Sequence, residues 1–203
     1  IIFIIIIIII IIIIINNKII FLLILFIMDE ITRNQVDRIK TQSTSNNELK
    51  KKIGKKINVI KYSELKDYNN IDELLAPNGM FIMLYETSDN MGHWTCCFNR
   101  GKNIISFFDS LGLKPDDQFH EISIQFRKDS GIDKPFLTYL LSNSNKKVEW
   151  NEYDLQSMNP EIATCGRWCV LRLKMKHLSP KQFHELFKSG DGFDSDDLAV
   201  LAY

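Results

Sequence analysis

No sign of charge dominates this chain: 25 Lys and Arg balance 25 Asp and Glu over 203 residues, for a formal net charge of zero. That argues against a general nucleic-acid binder, which needs a basic face for phosphates, and suits one globular domain. Cysteine is scarce, at four, and gives no disulfide framework. Zinc would have to recruit Cys165 and Cys169 with His93 and Cys96. Structural zinc sites usually carry paired knuckles on turns, and no second knuckle is present. No metal and no cofactor are therefore expected. The N-terminus lacks a basic n-region and a small-residue cleavage site, which argues against a removable signal peptide. Nothing in the sequence marks an oligomer, so a monomer is expected.

What the N-terminus does contain is a long apolar run. Residues 1–27 use only Ile, Phe, Asn, Lys and Leu, five types that can each be written with codons made of A and T alone. The first residue that cannot is Met28. One reading is translated AT-rich DNA upstream of the gene, or a low-complexity extension, with Met28 as the working start. Read literally, the stretch is apolar enough for a single membrane span, interrupted only by Asn16-Asn17-Lys18. The expected organisation is an extension over 1–27, a helical and linker region over 28–70, and the main domain over 71–203. The one basic run, Lys50-Lys51-Lys52 with Lys55-Lys56, reads as a solvated helix face, with a weak DNA contact as the alternative.

The remaining pattern is that of an α+β domain. Short helices are expected over 29–40, from about Asn47 to Gly54, over 63–68 and over 70–75, with 41–47 as a flexible linker. A strand over 80–85 and a polar loop lead to His93. Helices are expected over 116–127, 179–188 and 194–203, and Asp116 and Asp117 read as N-terminal helix charges. Residues 136–141 read as a helix or short strand and 147–153 as a strand. His120, His177 and His184 read as structural or exposed.

Residues 93–98 (His-Trp-Thr-Cys-Cys-Phe) and 104–109 (Ile-Ile-Ser-Phe-Phe-Asp) flank a loop with glycine at its centre, a β-hairpin signal. With a five-residue loop, Phe98 faces Ile104 and His93 lies directly opposite Asp109. A shorter loop centred on Arg100-Gly101 shifts the pairing by one and leaves them diagonal. Opposed Cβ atoms lie about 5 Å apart, within reach of an imidazole–carboxylate hydrogen bond. Asp109 would then orient His93 and stabilise its protonated form.

Cys165 opens a proline-free run with Trp168, Leu171, Met175 and Leu178 at helical spacing. Thr164 is the expected N-cap, which places Cys165 in the first turn. There the helix dipole and free N–H groups favour a thiolate and can also stabilise an oxyanion. Gly166 is expected to leave room for a substrate backbone. Cys169 reads as a buried apolar residue, and Cys96 and Cys97 fall on opposite strand faces.

The ordered set Gly92-His93-Trp94, Phe107-Phe108-Asp109-Ser110-Leu111-Gly112, Leu155-Gln156 and Thr164-Cys165-Gly166-Arg167-Trp168-Cys169 resembles the adenain-like and SUMO-protease-like cysteine peptidases. The similarity is greatest to the viral branch, which includes adenovirus endopeptidase and relatives in virophages, large DNA viruses and Maverick/Polinton elements. It covers about residues 71–203. It implies a papain-like or adenain-like fold, a mixed sheet packed on a central helix that carries the nucleophile. It also implies His93 as base and then acid, Asp109 as its orienting carboxylate, Cys165 as nucleophile and Gln156 as oxyanion donor. Trp94 is expected beside the site. The implied substrate is a protein, either a viral structural precursor with small residues before the cut or a conjugate of a ubiquitin-like modifier. The implied setting is a virion or the virus factory in host cytoplasm. A non-catalytic, membrane-tethered scaffold with the same fold is the alternative from another class.

Two departures stand out. Adenovirus endopeptidase has glutamate where Asp109 stands, while SUMO-type enzymes have aspartate. Gln156 precedes Cys165 by nine residues, a wider gap than usual, so Asn159 is the fallback donor.

Overall fold

The computed structural model describes residues 30, 32–88, 91–188 and 192–203. Residues 1–27 and Met28, with the membrane and start-site readings placed on them, lie outside the described residues. Among those described, no helix is long and apolar enough to cross a membrane. The chain divides into two compact units, Ile1–Ile39 and Lys40–Tyr203. Residues 32–40 form helix α1.

The second unit is α+β. Its elements are α2 (Asn46–Ile53), β1 (Asn58–Lys61), a 3-10 turn (Tyr62–Asp67), α3 (Ile71–Leu75), β2 (Met80–Ser88), β3 (Met91–Asn99) and β4 (Ile104–Phe108). A second 3-10 turn (Asp117–Glu121), α4 (Ile124–Ser130), α5 (Phe136–Ser142), β5 (Lys147–Trp150), α6 (Cys165–Lys174), α7 (Pro180–Leu186) and α8 (Ser195–Ala202) complete it. The five strands lie in chain order in one mixed sheet. The outer pairs β1–β2 and β4–β5 are parallel, and β2–β3 and β3–β4 are antiparallel.

Period-two alternation sends side chains to both faces, and both are buried. Phe81, Met83, Tyr85, Cys97, Ile105 and Phe107 join one core with α3 and α5. Ile82, Leu84, Trp94, Cys96, Phe98 and Phe108 join the other, which holds α6. Nine of the ten α6 residues are buried, so this helix is the centre of the second core rather than a surface element. Arg172 lies over the rings of Phe98 and Phe183 and donates to the Met175 and Leu178 carbonyls, closing the helix end.

Several expectations are corrected here. The segment expected as a helix over 116–127 is broken: the 3-10 turn ends at Glu121, and α4 starts afresh after the Ser123 cap. Asp116 stands at the N-cap of that 3-10 turn, but its carboxylate turns inward. It sits at positive φ, is buried, and accepts hydrogen bonds from the Tyr62 and Tyr85 hydroxyls at 2.8 and 2.9 Å and from Thr138 N–H at 2.6 Å. The strand expected over 147–153 stops at Trp150, and most of the loop expected before His93 is taken up by the strands, β2 running to Ser88 and β3 starting at Met91.

Residues 41–47 are not a free linker. Ala163 N–H donates to the Lys40 carbonyl at 2.8 Å, Arg167 to that of Gln42 at 2.6 Å, and the Trp94 indole to that of Thr44 at 3.0 Å. Ser45 then caps α2 in a capping box. The sheet also takes β1 from before residue 71, so residues 40–70 build the same unit as the rest. On α2, Lys52 is committed to Tyr203, through its backbone oxygen at 2.6 Å and its ring.

Candidate active site

The hairpin closes more tightly than a five-residue loop. Arg100 N–H bonds the Ile104 carbonyl at 2.9 Å, and Gly101 takes a φ of 101° that few other residues adopt. The ladder is therefore displaced by two residues, with Asn99 opposite Ile105 and Cys96 opposite Phe108. His93 and Asp109 are not directly opposed, as the longer loop predicts; they are diagonal neighbours just past the ladder's end. A displacement of two keeps both on the same face, where a displacement of one would part them. His93 Nε2 and Asp109 Oδ1 lie 2.8 Å apart.

Asp109 is buried, and its Oδ1 also accepts from Leu111 N–H at 2.8 Å. With Nε2 engaged there, Nδ1 is the nitrogen left for the thiol. Burial is the largest influence on His93 and opposes protonation. The Asp109 charge, its hydrogen bond and the contact with Cys165 outweigh burial and raise the imidazole pKa to about 10.

Cys165 heads α6 and is 9% exposed. Burial is again the largest influence and pushes its thiol up. The hydrogen bond and charge of His93, with the Trp94 and Gly166 N–H groups, reverse that and hold the thiol below its usual pKa of 9.0. The two shifts share one cause, since each group favours the charged form of the other. By contrast Cys97 and Cys169, fully buried, are pushed well above the usual thiol range, chiefly by burial. Among the described residues no three His, Cys, Asp or Glu side chains are grouped to hold a metal.

Two details at the helix start differ from expectation. Thr164 is not a side-chain cap; it has helical backbone angles, and its hydroxyl donates to the buried Asp196. Trp168 Nε1 donates to the same carboxylate at 3.0 Å. Gly166 is not open to a substrate either. A Cβ there would lie 2.6 Å from Thr44 Cβ and 3.2 Å from Trp94 Cδ1, so the space is filled by the strap of residues 40–45. Gly166→Ala is accordingly expected to cost about 1–3 kcal/mol of unfolding free energy. Denaturant titration measures it, and Thr44→Gly in the same chain should recover most of the loss. Thr44→Ala should not, because it keeps the clashing Cβ.

Gln156 is buried, with its Oε1 accepting from Ser110 Oγ at 2.9 Å and its Nε2 at 3.4 Å from the Ile162 carbonyl. Its backbone N–H and that of Leu155 both bond the Ser110 carbonyl. The segment after Asp109 thereby anchors the segment that carries Gln156. Asn159 is exposed, and its Oδ1 accepts from Glu161 N–H at 3.0 Å in a local turn. Of the two candidate donors, Gln156 is the buried one.

Gly92 and Trp94, on either side of His93, border a groove of about 470 Å³ whose other walls include Thr44, Lys61, Leu84 and the exposed Met91. Of the other histidines, His120 sits edge-on to Phe119, His184 stacks on Tyr153, and His177 is exposed. Ser110, Asn151, Gln118 and the strap around Thr44 are site neighbours that sequence reasoning missed. Of these only Ser110 lay within a quoted motif, and no role was drawn for it there.

No protein-family model matches the chain. It is 39% identical over 139 residues to the uncharacterized protein V9 of Sputnik virophage, an alignment spanning 68% of this chain and 79% of that protein. At that identity and coverage, the chain belongs to the same family as the virophage protein.

Proposed function

We propose that this chain is a cysteine-type endopeptidase. The observation that carries the reading is the Cys165 thiol, held below its ordinary pKa beside an imidazole that Asp109 orients at 2.8 Å. A central helix presenting the thiol, packed on a mixed sheet whose neighbouring strands lead to His and Asp, supports the papain-like and adenain-like fold.

In the proposed reaction, the Cys165 thiolate attacks the carbonyl carbon of a peptide bond. The oxyanion meets the N–H groups of the first α6 turn and the Gln156 amide. His93 gives its proton to the leaving amine as the C–N bond breaks, which leaves a thioester on Cys165. Water then loses a proton to His93 and adds to the thioester. Collapse releases the acid and restores the ion pair.

The virophage relative supports a viral setting, with structural precursor proteins as substrates in the virion or virus factory, over conjugates of a ubiquitin-like modifier. A monomer and a weak DNA contact through Lys50–Lys56 belong to the same proposal; Lys51, Lys55 and Lys56 are exposed. The test is to treat the full chain with a peptide vinyl sulfone and locate the adduct by mass spectrometry. An adduct on Cys165 alone is expected. Labelling confined to Cys96, Cys97 or Cys169, or none, contradicts the proposal.

A further inference from the structure

The carboxylate beside His93 is held at both oxygens. Oδ1 takes His93 and the Leu111 N–H, and Oδ2 takes the amide of Gln118 at 3.2 Å. Gln118 and Asp109 are both buried, so water does not replace that bond. A carboxylate bonded on one side only can rotate about its terminal torsion, whose wells are broad. A donor on the second oxygen removes that freedom.

How Gln118 arrives there is also set by the fold. It lies on the 3-10 turn Asp117–Glu121, directly after Asp116. The Asp116 carboxylate ties that point to Tyr62, Tyr85 and the start of α5. Tyr85 is paired with His93 across β2 and β3. Tyr85 thus anchors Asp116, and Gln118 follows two residues later along the same turn. The Asp109 backbone is fixed separately by Asn151, which accepts from its N–H at 3.0 Å and donates to its carbonyl at 2.7 Å.

We propose that Gln118 is a positioning residue: its amide pins the outer oxygen of Asp109 so that the inner oxygen stays on the His93 imidazole. The inference deepens the peptidase reading and rests on it for its functional meaning. A purely structural glutamine would affect stability but not the titration of His93.

The experiment follows His93 by NMR across pH in the full chain, with the Cys165 alkylation rate measured on the same samples. Gln118→Met keeps length and volume without a donor. Gln118→Asn keeps the amide but falls short by one methylene, which covers the case of a methionine variant that does not fold. In the folded variants the His93 midpoint is expected to fall by about one pH unit, as its ion-pair partner loses its fixed geometry. The rise of Cys165 reactivity with pH should move upward with it. A midpoint that stays put or rises overturns the positioning role. If wild-type Cys165 is neither hyper-reactive nor labelled by the peptide probe, the peptidase reading fails. The His93 titration still decides whether Gln118 holds Asp109.

Discussion

Replacing Cys165 with serine is expected to lower peptide hydrolysis by about 10⁴-fold or more, to the level of the alanine variant. In serine hydrolases a neutral histidine serves as general base. Here the imidazole pKa is raised to about 10, so near neutral pH His93 already carries its proton. In the proposed reaction the thiol acts through its thiolate, the form that His93 favours. A serine hydroxyl is not ionised, and an imidazolium cannot take its proton. Initial rates of the serine and alanine variants on one peptide substrate check this. Activity of the serine variant well above alanine would show that His93 works as a neutral base.

The second large effect is expected from His93→Gln. Burial is the strongest influence on the Cys165 thiol and pushes it upward, and the imidazole does most to reverse it. Without the imidazole, only the Trp94 and Gly166 N–H groups favour the thiolate, and the pKa should rise to 9.0 or beyond. The thiolate fraction at neutral pH then falls to about 1%, and alkylation of Cys165 at pH 7 should slow by about 10²-fold. Hydrolysis should fall further, by about 10³–10⁴-fold overall, because glutamine has no proton for the leaving amine. Both rates are measurable on one preparation. An alkylation rate equal to wild type would mean that the helix start alone activates the thiol.

For the proposed peptidase, the same shifts set the expected pH dependence of turnover. The thiol must be ionised, so activity rises with pH through a midpoint below 9.0. The imidazole must be protonated for the leaving amine, so activity falls again as pH passes about 10.

What was legible in the sequence follows the range of each interaction. The position of Cys165 at a helix start rests on local spacing, and the structure has α6 begin there. That His93 and Asp109 share a face rests on strand alternation, which survives a ladder displaced by two residues. The displacement itself was not legible, because it depends on Arg100 joining the ladder and Gly101 turning alone. The inward turn of Asp116 was hidden too, because the two tyrosine hydroxyls that bind it are distant in sequence. Residues 41–47 have the composition of a linker, yet their carbonyls are taken by Trp94 and Arg167. Gly166 was misread for the same reason, since Thr44 fills the space beside it. Gln118 carries no local signal, and only tertiary contact brings it to Asp109.

The most direct test is a paired titration of the intact protein, with the Cys165 thiolate followed by ultraviolet absorbance against a Cys165→Ala reference and His93 followed by NMR. A resting ion pair predicts a sulfur that ionises below pH 9.0 and an imidazole that keeps its proton to about pH 10. A sulfur ionising at or above 9.0, with the imidazole losing its proton near its ordinary 6.5, would contradict the account.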